Sequence, residues 1–159
     1  MKRKTALLFA FTLLIGISIQ AQTPTLNQKI INYVAAQIGK KVDRGECWDL
    51  AYEALTRSKC DWDGKFTYGK KLNLKKDTIY PGDIIQFTNV TIKYTVNRTV
   101  FKETFKQHTA IVYQVISPGN YKIVHQNNAF SGKKVGLSDL KLSNKTTGTI
   151  EIYRPQPKT

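Results

Sequence analysis

The chain is short of acidic side chains: 11 Asp and Glu stand against 25 Lys and Arg, a formal net charge of +14 over 159 residues. Such a balance predicts attraction to polyanions, whether wall polymer, anionic lipid or nucleic acid. It has no basic helix and no arginine-rich tract, since the lysines are scattered in pairs such as Lys40-Lys41, Lys70-Lys71, Lys75-Lys76 and Lys133-Lys134. A nucleic-acid binder concentrates its charge, so no nucleic-acid partner is expected and most of these lysines read as solvated surface. Internal repeats and low-complexity linkers are absent. Beyond the N-terminus no apolar run is long enough to cross a bilayer, so no stable membrane insertion is expected. Cysteine and histidine occur twice each, without close ligand spacing. That disfavours a zinc site, and no metal or cofactor is expected.

The beginning of the chain is distinctive. Met1-Lys2-Arg3-Lys4 is followed by an apolar run from Ala6 to Ile17, interrupted by Thr12 and Gly16, and then by Ala21 ahead of Gln22. This is the charged, apolar and small-residue order of a secretion signal, too short for a comfortable membrane span. The expectation is a signal peptide over residues 1–21 and export to the periplasm or the medium, the alternative being an uncleaved anchor. No cysteine follows the run, so no lipid attachment is expected. Residues 22–159 have an ordinary length for a single monomeric domain. With the three basic residues of the signal removed from +14, the remainder carries about +11.

Periodicity divides that domain into helices followed by strands. Thr23-Pro24 is a start signal, and Leu26, Ile30, Ile31, Val34, Ala35 and Ile38 recur at three and four before Gly39. A second helix is predicted from about Glu46 to Arg57, with Cys47, Leu50, Ala51, Ala54 and Leu55 on its apolar face. Strands are predicted over residues 83–90, 94–105 (one or two), 108–116, 121–126 and 149–153, with turns at Pro81-Gly82 and Ser117-Pro118-Gly119-Asn120. Helices first and strands afterwards give an α+β fold, with N-terminal helices packed on one face of an antiparallel β-sheet.

Two cysteines in an exported chain invite a disulfide. Cys47 and Cys60 stand at opposite ends of the second predicted helix, a separation of roughly 20 Å at 1.5 Å per residue. A disulfide needs its Cα atoms within about 7 Å, so the two are expected to stay unpaired. Cys47 falls in the first helical turn, where the helix dipole favours a thiolate; Arg44 adds to this, and Glu46 and Asp49 oppose it. The competing reading is a small core residue, since free cysteine is often buried.

A thiol nucleophile needs an imidazole to take its proton and a third polar group to hold that imidazole. His108 opens one strand, where an edge position can face a helix N-terminus, and His125 ends the next. The turn at residues 117–120 makes the two strands a hairpin with both histidines at its distal end. Either histidine could equally be an ordinary core or surface residue.

Three segments in order, Gly45-Glu46-Cys47-Trp48-Asp49-Leu50-Ala51, Pro81-Gly82-Asp83-Ile84-Ile85-Gln86-Phe87 and His108-Thr109-Ala110-Ile111-Val112, resemble the CHAP and NlpC-type branches of the papain-like cysteine hydrolases. The resemblance spans roughly residues 30–126. It implies a papain-like fold, Cys47 as nucleophile and His108 as base. His125 stands where CHAP enzymes place an acid and NlpC-type enzymes a second histidine, so it is the implied orienting group, with Asn127 as a possible substitute. Trp48 departs from the small residue typical of NlpC-type enzymes. The implied activity is that of a bacterial amidase or endopeptidase working through a thioester, with peptidoglycan or another anionic wall polymer as substrate. A non-catalytic wall- or protein-binding module on the same scaffold is the alternative, and a toxin-like hydrolase or an enzyme on a non-wall amide is a third reading.

Overall fold

The computed structural model describes residues 23–129 and 131–158; the expected signal segment, residues 1–21, lies outside them. Both predicted helices form. The first, α1 (Thr25–Gln37), buries Ile30 and Val34. It begins one residue later than the start signal implied: Pro24 is the N-cap, with no side-chain cap bond, and its carbonyl accepts the Gln28 N–H at 3.0 Å. The second, α2 (Cys47–Arg57), starts at Glu46, which forms a reciprocal capping box with Asp49. Gly45, just before it, has a φ of +86°, and a Cβ there would come within 2.8 Å of the Lys133 Cβ.

The strands are β1 (Cys60–Asp61), β2 (Lys70–Lys71), β3 (Ile84–Val96), β4 (Thr99–Ser117), β5 (Asn120–His125), β6 (Gly136–Lys141), β7 (Lys145–Arg154) and β8 (Gln156–Pro157). Six of them make one antiparallel sheet in the order β2-β7-β3-β4-β5-β6, while β1 pairs with β8. The fold is therefore α+β, but richer in sheet than the sequence implied. What read as separate strands over residues 83–90 and 94–105 is a long two-stranded ribbon. Asn97 and Arg98, with φ of +48° and +67°, form its two-residue turn and bring Val96 opposite Thr99. β6 was not expected at all.

Each face of the sheet has its own core. On one face Ile84, Ile111 and Val124 pack against Ile30, Val34, Leu50, Ala54 and Leu55 of the helices. On the other, Ile85, Phe87, Ala110, Val112, Ile123 and Ile152 pack together. Strand alternation sorts the residues between the two.

The Pro81-Gly82-Asp83 turn locks the first core. Gly82 (φ +86°) lies so close to α1 that a Cβ would meet the Asn27 carbonyl oxygen at 2.5 Å. Asp83, fully buried, accepts hydrogen bonds from Asn27 Nδ2 at 2.7 Å, Tyr80 N–H at 2.9 Å and Arg154 Nη2 at 2.8 Å. Burial raises its pKa, and the Arg154 guanidinium with the two other donors opposes that rise. One carboxylate thereby ties α1, the start of β3 and the end of β7 together.

Candidate active site

Cys47 and Cys60 are both free, as the helix between them requires. Cys60 is buried under α2, and burial pushes its thiol up to about 11. Cys47 is half-buried in the first turn of α2. Three backbone amides, those of Thr109, Trp48 and Cys47 itself, point at its sulfur. The helix dipole was expected to lower its pKa; instead the pKa is raised, because burial outweighs the three amide hydrogen bonds and Glu46 adds its negative charge. Arg44 gives little help to a thiolate, being paired with Asp49 and Asp43. At rest the group is a neutral thiol.

The loop leading to Cys47 is held by a fully buried side chain just beyond the end of β5. Gln126 Nε2 donates to the Val42 carbonyl at 3.0 Å and to the Glu46 carbonyl at 2.8 Å, and its Oε1 accepts the Val42 N–H at 3.2 Å. Pairing between β4 and β5 runs only as far as Ile111 opposite Val124. Beyond that pair the Thr109 amide bonds the thiol of Cys47. The sulfur thus occupies the mouth where the two strands part.

His108 and His125 are brought together, ring to ring, with Nε2 of His108 2.7 Å from Nδ1 of His125. The Nε2 of His125 lies 2.8 Å from Ser138 Oγ on β6. His108 is 4% and His125 1% exposed, and burial lowers their pKa values to about 4 and about 3, so both are neutral. Asn127, the substitute orienter, is not part of this chain: it turns outward at a φ of +58° and donates to Glu46 Oε2 at 2.6 Å.

The placement of His108 departs from expectation. β4 is an interior strand, and His108 shares a face with Ala110 and Val112, opposite the helices. Its ring stacks on Phe105 at 4.7 Å and approaches Phe87 at 5.8 Å. Thr109, its neighbour, faces α2. Among the described residues no hydrogen bond joins the Cys47 sulfur to either imidazole; thiol and imidazole meet through one peptide unit, the sulfur on the Thr109 N–H and the ring one residue before it. The His108 Nδ1 likewise bonds nothing among the described residues.

Below the thiol on the helix side lies a polar cluster that the sequence reading missed. Tyr68 Oη, Thr109 Oγ1 and Gln86 Oε1 are mutually within 3.0 Å, and all three side chains are buried. Beside Cys47, Trp48 packs on Tyr52 at 4.9 Å and on Trp62 at 5.7 Å, giving the site an aromatic wall. Gln126 and Ser138 were also missed: the first sits in a run of polar residues, the second in a strand with no clean apolar alternation.

A thiol at the start of a helix, packed on an antiparallel sheet beside a bonded imidazole pair, defines a cysteine-proteinase type of architecture. Residues 18–159 match the AIM3/BBC1 cysteine proteinase-fold domain, and the chain belongs to that family. A relative in the yeast Debaryomyces hansenii, "Altered inheritance of mitochondria protein 3", is 28% identical over 167 residues, covering 87% of this chain. The chain spans only 18% of that relative's length. Two solved structures, "The crystal structure of Ly7917" and "The crystal structure of Ly7917 with the hydrolyzing product of MDP", superpose with TM-scores of 0.47 and 0.49 at 18% identity. They cover 80% and 81% of this chain, and 62% of their own. The family match carries the resemblance read from the motifs to the level of the cysteine proteinase fold, and not to the CHAP or NlpC-type branch. With a yeast relative, the bacterial and peptidoglycan parts of that resemblance gain no support from it.

Proposed function

We propose that this domain is a cysteine hydrolase cleaving amide bonds, with Cys47 as nucleophile, His108 as base and His125 orienting it. The observation that carries the reading is the convergence, on consecutive residues of β4, of a half-buried helix-start thiol and an imidazole held by a second imidazole. At rest the Thr109 peptide lies between the thiol and the ring, so the proton step requires the Cys47 sulfur and the His108 imidazole to be brought together, with Nδ1, the nitrogen not bonded to His125, taking the proton. His108 takes the thiol proton as the sulfur attacks the carbonyl carbon, and the carbonyl oxygen becomes an oxyanion. The Cys47 N–H, in the first turn of α2, is one donor to that oxyanion. Collapse of the adduct expels the amine, which receives the proton from His108, and leaves a thioester. Water, giving a proton to His108, then hydrolyses the thioester and frees the thiol. A resting neutral imidazole is the protonation state a base requires.

The net charge of +14 supports an anionic substrate or partner, and the N-terminal order of charged and apolar residues supports export. Peptidoglycan peptide is the substrate that the motif resemblance supports; a non-wall peptide amide is the other arm of the test. Purified wall fragments and a panel of peptide amides are each incubated with wild type, Cys47→Ala and His108→Ala, and any thioester is trapped with hydroxylamine. Product and trapped acyl group that vanish in Cys47→Ala support the reading, and the arm that turns over identifies the substrate. Equal product from wild type and Cys47→Ala overturns it.

A second reading, a binding module that has kept the scaffold without the reaction, is favoured by two features of the same site. These are the raised pKa of the Cys47 thiol and the absence of a hydrogen bond between its sulfur and His108. It predicts wall or protein binding that survives Cys47→Ala unchanged.

A further inference from the structure

The imidazole pair does not end at His125. Its Nε2 meets Ser138 Oγ at 2.8 Å, so Ser138, His125 and His108 form one continuous hydrogen-bonded chain. Ser138 also lines a cavity of about 410 Å³, walled by Tyr94, Leu137, Glu103, Asp139 and Lys141 among others, on the side of the sheet away from the helices. Such a chain of two neutral imidazoles and one hydroxyl has only two proton arrangements. In the first, His108 donates from Nε2 to His125 Nδ1, His125 donates from Nε2 to Ser138 Oγ, and the hydroxyl proton points into the cavity. His108 Nδ1 then carries a lone pair. In the second every proton is reversed, and His108 Nδ1 carries a hydrogen and cannot act as a base.

We infer that Ser138 is a positioning residue that holds His108 in the Nδ1-unprotonated form by accepting the His125 Nε2–H. The inference rests on the reading of His108 as the base. Two observations favour the first arrangement. The cavity wall includes the carboxylates of Glu103, which accepts from Tyr94 Oη at 2.9 Å, and Asp139, which accepts from Lys122 Nζ at 2.9 Å, and their remaining oxygen lone pairs are acceptors on the side that Ser138 lines. His108 Nδ1 has no acceptor partner among the described residues, so a hydrogen on it would lack a protein hydrogen bond. In either arrangement His125, 1% exposed, depends on Ser138 for the hydrogen bond at its Nε2. The tautomer of one ring nitrogen is set by the bond the other makes, and Ser138 extends that rule through a second ring.

The chain has only two histidines, which makes the test direct. Long-range proton–nitrogen NMR correlation on histidine-labelled protein reads the tautomer of each ring, with the single histidine variants giving the assignment. Wild type should show both rings protonated at Nε2. Ser138→Ala should move both toward Nδ1 protonation and slow iodoacetamide modification of Cys47 at neutral pH by about 10-fold or more, while Ser138→Thr, keeping the hydroxyl, restores both. Nδ1-protonated His108 in wild type, or tautomers that ignore Ser138→Ala, overturns the inference. Tautomers that shift as expected while Cys47 modification does not would uphold the role of Ser138 and overturn His108 as the base.

Discussion

Cys47 and His108 approach the same peptide unit from different directions. The sulfur accepts the N–H of Thr109, and the His108 ring, one residue earlier, faces the opposite side of the sheet, where it bonds His125 at 2.7 Å. Each group is satisfied without the other at rest. The resting arrangement holds a neutral thiol and a neutral imidazole on opposite sides of one peptide unit, and catalysis requires a rearrangement that brings them together.

The imidazole pair should make the fold acid-sensitive. Both folded pKa values, about 4 and about 3, lie below the ordinary 6.5. As pH falls below about 6.5 the unfolded chain gains protons that the folded chain refuses, so stability present above that pH is lost progressively toward pH 4. Each imidazole contributes at most about 1.4 kcal/mol per pH unit in this window. Urea unfolding should therefore show a loss on the order of 3 kcal/mol between pH 7 and pH 5, and His125→Gln should reduce that slope. A stability indifferent to pH over this range would contradict the burial of the pair.

The Asp83–Arg154 pair should be costly to break from the arginine side. Arg154→Ala strands a fully buried carboxylate and should destabilise by roughly 3–5 kcal/mol. Adding Asp83→Asn to that variant should recover part of the loss, because the amide has no charge to solvate. Chemical denaturation of the single and double variants checks both statements.

Gln126 should hold Cys47 in place from a distance. Gln126→Leu removes all three hydrogen bonds to the loop before α2 and leaves the Val42 amide without its acceptor, at a cost of about 1–3 kcal/mol. Amide hydrogen exchange at Val42 should accelerate more than exchange in α1. Equal protection of Val42 in variant and wild type would show that the loop is held by something else.

Much of this fold was legible in the chain. The apolar spacing of Ile30 and Val34, and of Leu50 and Ala54, placed both helices, because each buries a single stripe. The β3–β4 ribbon was harder, since from residue 93 to residue 107 it is largely solvated on both sides and no alternation survives. Its turn, Asn97-Arg98, also lacks the glycine that usually marks one. The facing of His108 was not legible for the opposite reason: in His108-Thr109-Ala110-Ile111-Val112 every residue is buried, so parity does not say which face meets α2. The charge state of Cys47 misled because the helix position was visible in sequence and the burial that outweighs it was not. Ser138 and Gln126 needed the sheet order, which no local pattern carries.

The claim at the centre of this account is that His108 serves Cys47, and the rate of iodoacetamide modification of Cys47 against pH tests it most directly. Cys60, buried and with a thiol pKa of about 11, is the internal standard in the same mass spectrum. In wild type the Cys47 rate should have two components: a plateau through neutral pH that disappears only as His108 protonates well below 6.5, and a steep alkaline limb as the thiol itself ionises. In His108→Ala the neutral plateau should vanish and the alkaline limb remain. Superimposable profiles with an alkaline limb alone would mean that the two residues do not work together, and the hydrolase reading would fall.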